Sequence, residues 1–370
     1  MTQNIPMLDV VAQNAPVRAE LEAAFARTLD TGRFIMGPEV VALESELAAY
    51  VGAKHAIGVS SGTDALLVSL MALGIGAGDE VITTPFTFFA TGGCISRLGA
   101  TPVFVDIRPD TFNLDESKVA AAITPKTRAI LPVHLYGQSC DMGALRQACG
   151  DIPIIEDAAQ SLGSRFQGKG VGSIGTFGCF SFFPSKNLGA LGDGGLVTTN
   201  DDALAEKVRV LRAHGSKPKY FHALVGGNFR LDALQASLLR VKFPRLDGWA
   251  EARRKNAAYY SERFLGAALP EGRLTPPPVV EEGHVFNQYV IRTDKRDELA
   301  AGLKEAGIAS AIYYPRALHM QECFADLGYA EGAFPVAEKA AGEVLAIPVY
   351  PELGDALRER VADTVVALLS

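Results

Sequence analysis

Phe177-Gly178-Cys179-Phe180-Ser181-Phe182-Phe183-Pro184-Ser185-Lys186-Asn187-Leu188-Gly189, closing through Gly192-Asp193-Gly194-Gly195 into Leu196-Val197-Thr198-Thr199, decides how this chain folds. Phe177–Phe183 and Gly195–Thr199 read as strands, rich in the β-branched and aromatic residues that sheets accept. The glycine-rich turn between them carries a lysine, Lys186, directly after an aromatic run. Surface lysines sit among polar neighbours, and this one does not. A desolvated lysine loses proton affinity and becomes nucleophilic toward carbonyls. Taken alone, the residue reads either as an imine-forming lysine or as a strand-end lysine that snorkels to water.

Working outward, the same pattern repeats. Val81–Thr83, Pro102–Asp106, Ala129–His134 and Ile152–Asp157 are short apolar runs separated by helix-like segments. Near-continuous apolar strands alternating with helices mean a mostly parallel sheet buried on both faces, an α/β fold. Upstream, residues 17–30 and 38–51 read as amphipathic helices, and Ser61-Gly62-Thr63-Asp64 opens an apolar helix running to Leu73. After about residue 230 the pattern changes. Leu231 to Phe264 reads as a long helix or helix pair bent near Pro244, and Leu274–Pro278 as a rigid linker. Val285–Arg292 and Ala311–Tyr314 read as strands, Arg296–Gly307 and Asp355–Leu369 as helices. The expected organisation is a large domain over residues 1–240 and a smaller α+β domain over 241–370.

Composition bounds the function. The 370 residues are 48% hydrophobic and 21% charged, with a net charge of -7, as expected of a globular protein with a large core. No long basic run suggests nucleic-acid binding. The five cysteines are scattered, with no C-x-x-C pair, so neither a disulfide framework nor a metal cluster is expected. Met1–Val10 lacks a signal-peptide pattern, and no apolar run approaches the roughly 20 residues that span a bilayer. A cytoplasmic protein is expected. Gly170-x-Gly172-x-x-Gly175 matches a dinucleotide fingerprint but leads into a strand instead of following one, so it is set aside.

In such sheets, ligands bind at the carboxyl ends of strands. Asp106, His134 and Asp157 fall there, His134 reading as a satisfied core histidine. Small residues with free amides at the helix start, Gly62 and Thr63, suit a phosphate. A lysine that forms an imine with pyridoxal 5′-phosphate needs a carboxylate to keep the pyridine nitrogen protonated, and Asp157 can supply it. Asp157 can equally cap the next helix.

Five segments carry a resemblance: Ser61–Leu66, Thr87–Thr91, Glu156-Asp157-Ala158-Ala159-Gln160, Ser181–Gly195 and Gly227–Asp232. Tyr313-Tyr314-Pro315, Leu318-His319 and Ile347–Pro351 match more loosely. Across nearly the whole chain the sequence resembles the DegT/DnrJ/EryC1/StrS-type sugar aminotransferases, within the fold-type I pyridoxal phosphate enzymes. The resemblance implies that Lys186 binds the cofactor as an imine and moves the proton, and that Asp157 pairs with the pyridine nitrogen. It implies that Gln160 bonds the ring oxygen, that Phe88 stacks on the ring, and that Gly62, Thr63 and Ser181 hold the phosphate. Asn228 would reach that phosphate from the neighbouring subunit, making a homodimer with shared active sites. Arg230, Tyr314 and His319 would line the substrate cavity. The implied reaction moves an amino group from L-glutamate to a nucleotide-linked 3- or 4-keto-sugar, for amino-sugar and polysaccharide or O-antigen biosynthesis. Two alternatives are a keto-sugar dehydratase or deoxygenating lyase, whose members tend to carry histidine in place of the lysine, and a non-catalytic regulator. Thr91-Gly92-Gly93-Cys94 is more glycine-rich than that family pattern.

Overall fold

The computed structural model describes residues 4–281 and 283–370. Helix α1 (Arg18–Thr31) stops at Gly32, whose left-handed backbone (φ 62°) ends the helix. Helix α2 (Pro38–Val51) starts on a proline, which loses no helical hydrogen bond there. Strand β1 (His55–Val59) feeds helix α3 (Gly62–Ala72), capped by Ser61, whose hydroxyl accepts the Asp64 N–H at 3.0 Å. Then follow β2 (Glu80–Thr83), α4 (Phe89–Arg97), β3 (Thr101–Phe104), β4 (Thr127–Leu131), β5 (Ile155–Asp157), β6 (Phe177–Ser181) and β7 (Gly195–Thr199).

These strands line up as β3-β2-β4-β5-β6-β7-β1. β4 joins β5 through the parallel bridges Ile130–Ile154 and Val133–Asp157. β7 alone runs antiparallel to both neighbours, so the sheet is mostly parallel, as the apolar runs require. β1, unrecognised in the sequence, is five residues long and interrupted by Gly58. A Cβ there would sit 3.1 Å from Leu231 Cδ2, and the Gly58 amide donates to Glu44. The glycine admits a close neighbour and hides the strand pattern.

The helix pair expected over 231–264 is α5 (Ala233–Lys242), a 3-10 turn at Phe243–Arg245 and α6 (Leu246–Leu265). The expected boundary at residue 240 falls inside α5, which packs on α1 and α2. A second core forms around the antiparallel pair β8 (Tyr289–Arg292) and β9 (Val344–Ile347), with Tyr260, Leu303 and Val361. Ile5 belongs to that core and pairs with Ile308. Leu274–Pro278 lies along β8, Thr275 and Arg292 exchanging both backbone hydrogen bonds at 2.9 Å. Ala311–Tyr314, expected as a strand, is reduced to a single bridge between Ala311 and Ala346 before the chain turns toward Pro315, which has no N–H for a ladder. Among the described residues, no helix is long and apolar enough to cross a membrane.

Helix α3 positions the site. It is apolar on nearly all sides because β6 and β7 cover one side, with α4 and the helix Asp202–Leu211 also against it. Leu70 is fully buried in this layer. Leu70→Ala is expected to cost about 2–5 kcal/mol, measured as a lower midpoint in urea unfolding with an unchanged m-value.

Candidate active site

The carboxyl ends of β1, β2, β4, β5 and β6 meet above one edge of α3. Between them opens a cleft of about 420 Å³ whose lining includes Gly62, Thr63, Phe88, Asp157, Gln160, Ser181, Lys186 and Tyr314. Eight of the eleven residues singled out in the sequence therefore converge from five separate segments.

Asp157, 5% exposed, is the last residue of β5. One carboxylate oxygen accepts from Thr91 Oγ1 at 2.8 Å, the other from the Ala159 amide at 3.2 Å. Burial pushes its pKa above the usual carboxylate value, against those two donors and the attraction of Lys186 and His134. Lys186 follows the turn after β6. Its amine makes no hydrogen bond among the described residues, and protein surrounds it while the cleft stays open to it. Burial lowers its pKa to about 8, opposed by the Asp157 carboxylate. A neutral amine near physiological pH is a nucleophile.

Gly62 and Thr63 form the first turn of α3, where amides have no helical acceptor. Ser181 faces them: a Cβ on Gly62 would lie 2.7 Å from Ser181 Cβ. That glycine keeps the cradle open for an anion. Phe88 is 60% exposed and lines the cleft, 6.5 Å from the Tyr314 ring. Gln160 accepts the Tyr136 amide on Oε1 at 2.6 Å, and its Nε2 lies 3.4 Å from the Tyr314 hydroxyl. The amide is thereby oriented with its donor end toward the cleft.

Three expected residues are elsewhere. His319 is buried; its Nε2 lies 2.9 Å from Glu338 and its ring packs against Phe334. Substrate contact by His319 is corrected accordingly: the histidine closes the segment carrying Glu338 and does not face the cleft. Asn228 is exposed and bridged through its backbone to Ala213, while Arg230 is bridged to Val59. Neither lines the cleft of its own chain.

Sequence reasoning missed Thr91, Ser185, Asp193, Gln288 and Tyr313. Thr91 is the informative one, because its hydroxyl also meets Thr87 Oγ1 at 3.0 Å and so ties α4 to Asp157. A threonine one helical turn after another was its only signal. Gly92 has a physical reason: a Cβ there would approach Phe324 and Leu318 at 3.1 and 3.2 Å. The set-aside glycine motif also finds its role. Amides of Gly172, Ile174 and Gly175 donate to Glu156 at 2.7, 2.9 and 2.5 Å. His134 Nδ1 accepts the Cys140 amide, leaving Nε2–H for Glu156 at 3.0 Å. The loop cups an internal carboxylate, and His134 is the satisfied histidine its position suggested.

The comparisons agree with this geometry. Residues 16–366 match the model of the DegT/DnrJ/EryC1/StrS aminotransferase family. The chain is 53% identical to a "pleiotropic regulatory protein" of Geobacillus stearothermophilus, across 98% of both chains. It is 46% identical to a UDP-N-acetyl-3-dehydro-alpha-D-glucosamine 3-aminotransferase of Acidithiobacillus ferrooxidans, covering 99% of this chain and 98% of that one. The crystal structure of Streptomyces venezuelae DesV in complex with a ketimine intermediate superposes with a TM-score of 0.96 at 43% identity, over 100% and 99% of the two chains. The chain belongs to the DegT/DnrJ/EryC1/StrS aminotransferase family, and its fold is that of these enzymes. It is an aminotransferase.

The cofactor of these aminotransferases is pyridoxal 5′-phosphate. The cleft fits that group on its own evidence. The Gly62–Ser181 cradle suits the phosphate, Phe88 offers a free ring face, and Asp157 is a buried carboxylate short of positive charge, which a protonated ring nitrogen supplies.

Lys186 is the testable element. In cofactor-free protein, its reactivity toward a small aldehyde should rise with pH to a plateau with an apparent pKa of about 8, against an ordinary value of 10.5. Because the Asp157 charge favours the ammonium, Asp157→Asn should move that midpoint lower. Reductive methylation read by peptide mass spectrometry across pH checks both the midpoint and its direction.

Proposed function

We propose that this enzyme transfers the amino group of L-glutamate to C3 of a 3-keto sugar carried on a nucleoside diphosphate. It would act in the cytoplasm, in amino-sugar biosynthesis, as a homodimer with shared clefts. The observation that carries the reading is the convergence of Lys186, its amine free, and the buried Asp157 carboxylate on one cleft. The C3 position follows the name of the Acidithiobacillus relative.

When bound, pyridoxal phosphate supplies a carbonyl for amine capture and a ring that spreads the charge of a carbanion. The side chains do the rest. Lys186 holds the cofactor covalently and yields to the amino donor. Its freed Nζ takes the proton from the donor's α-carbon and later returns one to the sugar carbon that receives the amine. Asp157, held by Thr91 and the Ala159 amide, keeps the ring nitrogen positive. Phe88 walls one ring face, and Gln160 donates to the ring oxygen. Gly62, Thr63 and Ser181 hold the phosphate. Tyr314 meets the sugar, and Asn228 and Arg230 act on the partner's cleft.

Association is supported by an apolar surface around α1 and α2. Phe25, Leu29, Phe34, Ile35, Met36 and Val41 are all 39% exposed or more, and large exposed apolar patches mark interaction sites. The regulatory name of the Geobacillus relative does not weigh against catalysis here, because the reacting groups are intact.

The reaction is tested by mixing holoenzyme with L-glutamate and then with a panel of nucleotide-linked keto-sugars. Expected are an absorbance change on glutamate addition, an amine product by mass, and loss of both in Lys186→Ala. Loss of water from the sugar without gain of nitrogen would instead identify the dehydratase.

Sharing of the cleft has its own test. Lys186→Ala and Asn228→Ala should each be impaired by at least about tenfold. Co-refolded in equal amounts, they should regain about a quarter of wild-type activity, since half the random dimers hold one intact site. If Asn228 served its own chain's cleft, mixing would restore nothing.

A further inference from the structure

Lys242, the last residue of α5, is fully buried. An ammonium taken out of water is costly unless its protons find acceptors. Its Nζ donates to the Gly189 carbonyl at 2.5 Å and lies 5.9 Å from the centroid of the Trp249 ring. Burial lowers its pKa to about 8, against the attraction of Glu352. Nothing in the amino-transfer chemistry uses this cation. What it touches is the loop carrying Lys186, three residues before Gly189.

That loop is anchored by Leu188 and Ala190 in a buried cluster and by a set of hydrogen bonds. Within it, the Lys186 amide donates to Phe183 O at 2.8 Å and the Ala190 amide to Phe182 O at 2.7 Å. Gly189 is pressed so closely on the chain that a Cβ would lie 2.3 Å from Pro184 O, so the two ends of the turn are in direct contact. From outside, Asn187 Nδ2 donates to Val285 O at 3.2 Å and the Leu191 amide to Gln235 Oε1 at 2.9 Å, and two further grips bear on the turn itself. Lys242 is one. Asn287 is the other, its Nδ2 donating to Asn187 Oδ1 at 2.7 Å and to Ser185 O at 3.4 Å. Arg253 on α6, 3% exposed, fixes the second grip by donating to the Phe286 and Asn287 carbonyls at 3.2 Å.

We propose that Lys242 is a positioning residue for Lys186: seated on the Gly189 carbonyl, its ammonium fixes the loop so that the Lys186 amine reaches the carbonyl carbon of the cofactor. The inference rests on Lys186 being the lysine that captures the cofactor. Lys242 never meets the reactants.

The test compares two ligands of the cofactor-free protein. Pyridoxal 5′-phosphate uses the phosphate cradle, the ring wall and Lys186. 4-Deoxypyridoxine 5′-phosphate has the same ring and phosphate but no aldehyde for Lys186. The affinity gap between them measures what Lys186 contributes. Wild type should show a gap that Lys186→Ala erases. Lys242→Met keeps the stem and removes the donor. It should narrow the gap about tenfold, the scale of a charged hydrogen bond, while the deoxy ligand changes less than about twofold. Equal weakening of both ligands, or an undiminished gap, overturns the role of Lys242 and leaves that of Lys186 standing. A wild type with no gap sinks both. Should Lys242→Met fail to fold, Asn287→Leu cuts another grip on the turn and is read the same way: a narrowed gap supports the loop mechanism, an unchanged one overturns it.

Discussion

The parallel pairing of β5 with β6, which sets Asp157 beside Cys179, constrains everything around the cleft. It puts a carboxylate at the end of one strand and starts the Lys186 turn from the end of the next. Both groups are then desolvated, and each opposes the other's shift. The carboxylate holds the amine's pKa above what burial alone would give, and the amine holds the carboxylate's below. Burial wins on both sides, leaving an amine that readily gives up its proton and a carboxylate that wants a cation. Neither state is comfortable in a core, and both are what an imine-forming site with a protonated ring nitrogen requires.

The surroundings can be understood as support for that pair. Thr91 and the Ala159 amide satisfy Asp157 without adding charge, so its attraction for a cation is not spent. On the other side of β5, Glu156 is satisfied in full by three backbone amides and His134. Adjacent acidic residues on one short strand thus meet opposite fates. One is neutralised by a loop built of glycines, and the other is left electrostatically open to the cleft. Alternation of side chains across a strand makes this division possible in two residues.

Much of this was legible in the sequence, for identifiable reasons. Lys186 and Asp157 stand where apolar runs end, and a charge at such a point is conspicuous. Gly62 and Thr63 open a helix that any cap rule marks. The helix limits at Pro38–Val51 and Asp355–Leu369 follow from proline, glycine and apolar spacing. What failed was context. β1 was hidden because Gly58 breaks its pattern to admit Leu231. His319 was misplaced because a histidine between loop residues gives no sign of whether it faces a cavity or a glutamate 19 positions on. Thr91 and Lys242 reach partners 66 and 53 residues distant and Gln288 lines the cavity itself, and single-chain spacing carries no such information.

The cleft is lined by eight of the expected site residues of one chain, and not by Asn228 or Arg230. Cofactor-facing residues come from strand ends of one sheet, whose ladder fixes their relative positions. Asn228 and Arg230 do not line this cleft, and their backbones bridge to Ala213 and Val59. On the proposed reading, the substrate they act on sits in another copy. The chemistry would then be encoded in a single fold, which tolerates little change, and the choice of sugar in a surface completed only on assembly. That separation would account for why Lys186 and Asp157 announce the reaction so plainly while nothing near them names the sugar.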